Sequence, residues 1–258
     1  MKKVLGALRR AVQDYKMIED GDKIAVGLSG GKDSFLLLAA LEKYRSFSPV
    51  KFSLIAIHVD MGFKSDETDR LRPLIDKVNE LGVELHIVKT DLAEIIFDVR
   101  KESNPCSLCS KMRRGALCNK ARELGANKVA LGHHADDVLE TMMLCLAYEG
   151  RFSTFQPVSY LSRSEITVIR PFIYLEESDV RHAVKNLELP VITNLCPADK
   201  HTNRQAMKDF TRELNTRIPG VKDRMLSAIF HPERNNLWPV TEKPRGRKTK
   251  SIKPQNEK

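Results

Sequence analysis

Six consecutive residues near the N-terminus combine groups that bind an anion with a group that binds a metal ion. Ser29-Gly30-Gly31-Lys32-Asp33-Ser34 stands between two apolar runs, Ile24 to Val26 and Phe35 to Leu38. The first run predicts a buried parallel strand, and the second predicts the beginning of a helix. A glycine turn at this place points free backbone N–H groups, at the positive end of the helix dipole, toward one anion. The serines, the lysine and the aspartate add hydroxyl donors, a positive charge and a ligand for Mg²⁺.

The spacing of this turn separates it from the two commonest nucleotide-binding glycine motifs. G-x-x-x-x-G-K-[ST] needs glycine where Val26 stands and serine or threonine where Asp33 stands, and G-x-G-x-x-G is absent from the segment. A plain strand-to-helix turn is the simpler alternative, but it needs none of these charged groups. Ser29–Ser34 is similar to the PP-loop of the ATP pyrophosphatase superfamily, whose members cleave ATP between its α- and β-phosphates and leave an adenylated substrate.

Cysteines form the second set of chemically reactive residues. Cys106 and Cys109 make a C-x-x-C pair, which suits half of a zinc site, a redox pair or two ligands of an iron–sulfur cluster. No second C-x-x-C and no H-x₃₋₅-H pair accompanies it in the sequence, which disfavours a closed zinc site. Cys118 and Cys145 stand in apolar helical contexts and are expected in the core. Cys196 lies in a loop segment without apolar periodicity, and a cluster with three thiolate ligands would explain it.

Two further groups of polar residues accompany these motifs. In Gly132-His133-His134-Ala135-Asp136-Asp137 we expect an aspartate to cap the next helix, and His133, Asp136 and Asp137 to lie at the mouth of the nucleotide site. Basic residues cluster after each cysteine segment: Lys111, Arg113, Arg114, Lys120 and Arg122 after the pair, and Lys200, His201, Arg204, Lys208, Arg212 and Arg217 after Cys196. These clusters favour a polyanion that is brought to the cysteines.

The predicted elements bring these residues to one edge of a sheet. Strands are predicted over Ile24–Val26, Phe52–Asp60, Val83–Val88, Lys128–Gly132 and Ile166–Ile169. Helices are predicted over Val4–Tyr15, Leu36–Tyr44, Asp66–Leu81, Asp91–Val99, Ser110–Leu124, Ala135–Tyr148, Glu176–Leu187, from Thr202 or Asn203 to about Arg217, and up to about Phe230. A polar loop from Lys101 is expected to hold the first cysteine pair, and Glu149–Pro157 is either a surface loop or a lid. The alternation predicts an α/β fold with a doubly wound parallel sheet, whose ligands bind at the carboxyl ends of the strands.

Composition limits the partners and the compartment. The 258 residues are 41% hydrophobic and 30% charged, as in ordinary globular proteins. The net charge of +9 suggests nucleic acid as a partner, although the segment from Thr241 onward contributes +5 of it, so the folded body is only mildly basic. No apolar run reaches the roughly 18 residues of a membrane span. Without such a run, and with Arg9, Arg10 and Asp14 interrupting any signal-peptide core, we expect a cytoplasmic protein without membrane contact. The odd number of cysteines, five, indicates reduced thiols.

Taken together, the motifs resemble those of the tRNA 2-thiocytidine synthetases, a group within the PP-loop tRNA thiolases. The resemblance extends from about Asp22 to Phe230, and its motifs match in order and spacing. They are Ser29–Ser34, Pro105-Cys106-x-x-Cys109 with Arg113-Arg114-Gly115, Ala130-Leu131-Gly132-His133-His134-x-Asp136-Asp137, Ile169-Arg170-Pro171, Asn194-x-Cys196-Pro197 and Arg204-Gln205-x-x-Lys208. A related group that acts on the thymidine-loop uridine carries zinc-binding modules at both ends, and no such cysteine pairs stand near either end of this sequence. The basic tail and the extra Cys118 and Cys145 depart from the pattern.

The resemblance implies a reaction and a set of site residues. ATP with Mg²⁺ binds Ser29, Gly30, Gly31, Lys32, Asp33 and Ser34, bordered by Asp60 and Gly132, and Lys32, Asp33 and Asp137 are the implied catalytic residues. A [4Fe–4S] cluster on Cys106, Cys109 and Cys196 is implied, with tRNA contacts from Arg113, Arg114, Arg170, Arg204 and Lys208. The C2 oxygen of cytidine 32 in the anticodon loop attacks the α-phosphate, and sulfide at the open iron, derived from a donor such as a cysteine desulfurase, displaces AMP.

Several alternatives and a domain plan accompany this interpretation. A thiolase acting on another base or through a cysteine persulfide remains open, as does a non-catalytic RNA-binding or redox module on the same fold. The plan has an N-terminal helix at 1–21, a PP-loop ATP pyrophosphatase domain of the adenine nucleotide alpha hydrolase-like kind at 22–200, C-terminal helices at 201–238 and a disordered basic tail at 239–258. A homodimer is one expected assembly.

Overall fold

A mostly parallel sheet forms the centre of the molecule. The structure, a computed structural model, describes residues 1–63, 67–100, 105–192, 195–197 and 202–237. The predictions for residues 101–104, for Asn194, for Lys200 and His201 and for the tail 239–258 therefore lie outside the described residues. The strands are β1 (Asp22–Leu28), β2 (Phe52–Asp60), β3 (Glu84–Lys89), β4 (Lys128–Ala130), β5 (Val158–Leu161) and β6 (Ile166–Ile169). Their order, β3-β2-β1-β4-β6-β5, confirms the α/β doubly wound sheet.

One strand at the edge of the sheet was missing from the sequence prediction. β5 pairs antiparallel with β6, whereas the other pairs are parallel. It lacks the continuous apolar run that marks buried parallel strands, because Ser159 and Tyr160 occupy its centre and Tyr160 is exposed. An antiparallel edge strand on an otherwise parallel sheet is common in such folds, and this one follows the loop that ends at Pro157.

Helices cover both faces of the sheet. They are α1 (Lys2–Asp14), α2 (Lys32–Arg45), α3 (Glu67–Glu80), α4 (Pro105–Glu123), α5 (Ala135–Glu149), α6 (Glu177–Asn186), α7 (Asn203–Arg217) and α8 (Val221–Phe230), with a π-helical segment at Glu94–Val99 and a 3₁₀ turn at Pro232–Arg234. α2 is apolar all round at Phe35 to Leu38, which are fully buried between the sheet and α1 and α6. α4 and the π-helical segment build a second core on the opposite face. Among the described residues, no helix combines the length and the apolar character needed to cross a membrane.

The position of the first cysteine pair corrects the sequence prediction. α4 begins at Pro105, not at Ser110, so Cys106 and Cys109 lie in its first turns and not in a loop. Proline suits the first helical position because its missing N–H would have no partner there. Since the two cysteines are three residues apart, they share one face of the helix.

The N-terminal helix shares the larger core with the sheet. Val4, Leu8, Ala11 and Val12 are buried and pack in the same cluster as β1 and α2. The four-part domain plan stays a prediction, and α1 packs in one core with β1 and α2.

This shared core leads to a stability prediction. Leu8→Ala removes a fully buried side chain, and we expect it to lower the free energy of unfolding by about 2–5 kcal/mol. Arg9→Ala changes an exposed neighbour and should shift stability by no more than about 0.5 kcal/mol. Urea unfolding followed by circular dichroism measures both variants. An unchanged midpoint for Leu8→Ala would contradict a common core.

Candidate active site

The glycine turn between β1 and α2 is shaped by its own serines. Gly31 caps α2, and Gly30 has a φ of +82°, a conformation that glycine adopts without steric cost. The Ser34 hydroxyl donates to the Gly31 carbonyl at 2.9 Å and accepts from the Ser29 backbone N–H at 3.1 Å. The two serine hydroxyls also lie 3.2 Å apart. The serines thus fix the turn around the open N-terminus of α2, where an anion would bind.

Residues on β2 and just after β4 contact this turn. A Cβ on Gly132 would lie 2.9 Å from the Asp33 carbonyl oxygen, so the chain two residues after β4 lies in direct contact with the start of α2. His58, buried on β2, has Nδ1 at 2.9 Å from the Leu28 carbonyl and so donates to the residue that precedes the turn. Nothing in the sequence singled out His58, because it interrupts an apolar strand without a motif. Asp60, at the end of β2, is buried and accepts at Oδ1 from the Gly62 N–H at 3.0 Å.

The segment that leads to Cys196 is bonded to the same turn. The Ile192 N–H donates to the Gly30 carbonyl at 2.9 Å, and the Ile192 side chain fills the space where a Cβ on Gly30 would point. Cys196 follows four residues later in the chain. The structure therefore joins Ile192, four residues before the third cysteine, to the glycine turn, although about 160 residues separate the two in sequence.

Lys32 and Asp33 form an ion pair at the start of α2. Lys32 Nζ lies 3.1 Å from Asp33 Oδ1 and 3.4 Å from Oε1 of Glu177, a residue that carried no sequence signal. Burial disfavours the charge on Lys32, but the two carboxylates outweigh it, and its pKa is raised. Asp33 Oδ1 is buried, and apart from the ion pair with Lys32 it accepts no hydrogen bond from the described residues. The turn thus offers a cation for phosphate and a carboxylate oxygen for a metal ion.

The first turn of α5 adds a second group of charges. The His134 N–H donates to Asp137 Oδ2 at 2.9 Å, which confirms the predicted aspartate cap. Arg204, on α7, lies 3.2 Å from Asp137 Oδ1 and 3.3 Å from Glu140 Oε2. Burial and the charge of Asp137 raise the pKa of Glu140 to about 7 against the pull of Arg204. Burial lowers the pKa of His133 to about 4, so this imidazole is neutral at neutral pH.

The three predicted cluster cysteines lie near one another. Cys106 is exposed, and Cys109 and Cys196 are partly exposed. Burial raises the pKa of the Cys109 thiol, the charge of Arg113 opposes this, and the neighbouring Cys196 and Cys106 raise it further. No three His, Cys, Asp or Glu side chains converge tightly enough for a single metal ion within the described ranges. A cluster of several irons spreads its ligands more widely than one ion does, so the three thiols fit a cluster in donor chemistry and neighbourhood.

The remaining predicted residues fall into different surroundings. Cys118 is buried in the second core as expected, whereas Cys145 is only partly buried, because the apolar face of α5 ends at Met142. Arg113 and Arg114 are exposed on α4. Arg170 is buried, donates to the Gln156 carbonyl at 2.6 Å and lies over the Phe155 ring at 4.9 Å. Through these contacts Arg170 holds the loop that precedes β5.

Known proteins similar to this chain point to one family. A family model described as a PP-loop domain matches residues 4–214. The "tRNA-cytidine(32) 2-sulfurtransferase" of Pelobacter propionicus is 39% identical over 88% of this chain and 85% of its own length. That of Geobacter sulfurreducens is 38% identical over 88% and 89%. Among solved structures, the U34-tRNA thiolase NcsA from Methanococcus maripaludis with its [4Fe-4S] cluster is 27% identical, with a TM-score of 0.73 over 92% of this chain and 80% of that chain.

The contact between Gly132 and α2 leads to a binding prediction. Gly132→Ala places a methyl group against the Asp33 backbone, which cannot turn aside as a side chain would. The strain, about 1–3 kcal/mol, should displace the turn and weaken the binding of a Mg²⁺–ATP analogue by about tenfold or more. Gly6→Ala is the control, because nothing lies within 4 Å of the new Cβ. Equal affinities in isothermal titration would contradict the close approach.

The raised pKa of Glu140 leads to a pH prediction. Its folded pKa of about 7 exceeds its ordinary value of 4.5, so the folded chain holds this proton more tightly than the unfolded chain does. The stability that this tighter proton binding contributes is fully present below about pH 4.5. It is lost as the pH rises through about 7, and the total loss is roughly 3 kcal/mol. Relative to wild type, Glu140→Gln should therefore become more stable between about pH 5 and 8, measured by urea unfolding. Glu80→Gln, which removes an exposed carboxylate paired with Lys77, is the control. A stability difference between Glu140→Gln and wild type that does not change with pH would contradict the raised pKa.

Proposed function

We propose that this chain, which belongs to the PP-loop family and within it to the tRNA-cytidine(32) 2-sulfurtransferases, is an ATP-dependent tRNA thiolase. It replaces the C2 oxygen of cytidine 32 in the anticodon loop with sulfur and converts ATP to AMP and pyrophosphate. The observation that carries the proposal is the bond between Ile192 and Gly30, which joins the nucleotide turn to the segment of Cys196. Activation and sulfur transfer need their groups at one place, and this contact supports such an arrangement.

The first step uses the residues of the glycine turn. Free N–H groups at the start of α2 and Lys32 bind the phosphates, and Asp33 is the carboxylate available to Mg²⁺. The C2 oxygen of the cytidine attacks the α-phosphate and pyrophosphate leaves. The oxygen thereby becomes part of a phosphate ester, which is a far better leaving group than the original carbonyl oxygen. Asp60 and Gly132 border the adenosine in this proposal, and Asp137 fixes the start of α5 beside it.

The second step needs the cysteines. Cys106, Cys109 and Cys196 are the residues that would hold the [4Fe–4S] cluster, and such a cluster supplies an open iron for a sulfur ligand when bound. The rigid start of α4 orients the first two thiols, and Arg113 offsets negative charge beside Cys109. Sulfide-level sulfur would bond to C2 while AMP leaves with the original oxygen, so the exchange of oxygen for sulfur needs no oxidant or reductant.

The partners follow from this reaction. Exposed Arg113 and Arg114 are the arginines that we assign to tRNA, whereas Arg204 and Lys208 already pair with acidic side chains and would share them with the RNA. A cysteine desulfurase is the proposed source of sulfur, the cytoplasm the proposed compartment and a homodimer the proposed assembly. Thiolation through a cysteine persulfide is the second candidate, because exposed Cys106 would also suit a sulfur carrier.

An iron measurement tests the sulfur step. After anaerobic reconstitution, we expect about four irons per wild-type chain, with a broad absorption shoulder near about 400 nm. Cys196→Ala should lose the iron and the formation of 2-thiocytidine while it still binds ATP, because the cysteine lies outside the glycine turn. Cys145→Ala is the matched control, since this thiol is on the far part of α5.

The possible outcomes separate the two candidates. If wild type thiolates tRNA without bound iron, the sulfur carrier is a cysteine persulfide and not a cluster. Wild-type sulfur transfer by Cys196→Ala would remove this cysteine from the reaction altogether. Absence of tRNA-dependent AMP formation would contradict the thiolase itself.

A further inference from the structure

One carboxylate beside the nucleotide turn is shared by three cations. Glu177, the first residue of α6, is buried and lies 2.8 Å from Lys208 Nζ, 2.8 Å from Arg181 Nη2 and 3.4 Å from Lys32 Nζ. Burial opposes its charge, but Lys208, Lys32 and Arg181 lower its pKa to about 2. Glu177 therefore stays ionised, and its charge is divided among side chains from α2, α6 and α7.

The backbone holds this carboxylate in a fixed place. The Glu177 N–H donates to Asp136 Oδ2 at 2.7 Å, which joins the start of α6 to the first turn of α5. Lys222 in turn lies 2.7 Å from Asp136 Oδ1 and 3.0 Å from Glu176 Oε2. Because two helix starts fix Glu177, a change in one of its partners changes its interaction with the others and not its own position.

Two of the cations that pair with Glu177 lie in different parts of the proposed site. Lys32 is the lysine of the nucleotide turn, and Lys208 lies on α7, which begins seven residues after Cys196 in the chain. Arg204, one turn before Lys208, docks α7 on Asp137 and Glu140. α7 is thus bound to the nucleotide site by two groups of ion pairs, and one of them contains Lys32 itself.

We propose that Glu177 is a positioning residue that transmits occupation of the nucleotide turn to α7. The proposal rests on the nucleotide site of the proposed function and not on thiolation. Phosphates compete with Glu177 for Lys32, since they carry more negative charge. When Lys32 turns to the phosphates, the whole carboxylate is available to Lys208 and Arg181, and α7 is held more firmly.

Hydrogen–deuterium exchange tests the transmission. The probe is α,β-methylene-ATP with Mg²⁺, added to the full chain, and the readout is amide exchange over residues 203–217. We expect the nucleotide to slow exchange in wild type and to have no effect there in Glu177→Gln. Glu176→Gln is the matched control, because it removes the adjacent carboxylate, whose partner is Lys222 and not Lys32. Unchanged exchange in nucleotide-bound wild type, or a normal response in Glu177→Gln, would overturn the proposal.

Kinetics distinguish positioning from a structural role. Because Glu177 competes for Lys32, Glu177→Gln should bind the nucleotide as tightly as wild type or more tightly, while kcat for tRNA-dependent AMP formation falls by about tenfold or more. Lys208→Met should reproduce the lower kcat and the lost response of α7, and it stays informative if Glu177→Gln folds poorly. A lower melting temperature together with weaker nucleotide binding in both variants would mean that Glu177 only stabilises the fold.

Failure of this inference differs from failure of the proposed function. A chain that shows the α7 response but makes no 2-thiocytidine would keep the inference and contradict thiolation. An enzyme that makes 2-thiocytidine, but whose amide exchange over α7 does not respond to the nucleotide, would keep the proposed function and contradict the inference.

Discussion

The site depends on the close approach of the chain just after β4 to the beginning of α2. At Gly132 the backbones are so near that a single methyl group has no room beside Asp33. This contact, together with the bond from His58 to Leu28, leaves the glycine turn little freedom to move. Preorganisation of this kind matters for a phosphate site, because the N–H groups must point at the anion before it arrives. The buried, apolar α2 below the turn supplies the rigid support that the polar residues lack.

Chain sections that carried a local signal were predicted well from the sequence. β2 and β6 agree with their predicted ranges because buried parallel strands are continuous apolar runs. The helix after Thr202 was placed by its cap, and the Thr202 hydroxyl does accept from the Gln205 N–H at 3.2 Å. The glycine turn and the cysteines were found because their residue types are unusual outside chemistry. The sequence does not predict β5, because this short strand shows no strong periodicity. It does not predict the early start of α4 either, because a proline inside a polar stretch is typical of a loop.

Roles that depend on tertiary contacts could not be predicted from the sequence. Glu177 and Glu140 look like ordinary helical acids, and only the folded chain surrounds them with Lys32, Lys208 and Arg204. In the sequence His58 is a polar interruption of an apolar strand, yet in the fold it donates a hydrogen bond to the carbonyl of Leu28, which precedes the glycine turn. Arg170 shows the opposite case, because its motif suggested a surface contact and the fold buries it. Pairing over long sequence distances determines these roles, and a single sequence does not display it.

The placement of the cysteines divides the proposed ligand set into two unequal halves. Cys106 and Cys109 are carried by one helix, whose hydrogen bonds fix them relative to each other whether or not metal is present. Cys196 comes from a separate segment, in which Ile192, four residues earlier, bonds to the glycine turn. A cluster on these cysteines would therefore take two ligands from one helix and the third from a segment that is distant in sequence. The spacing of the first pair is set by helix geometry alone, whereas the position of the third ligand depends on tertiary packing.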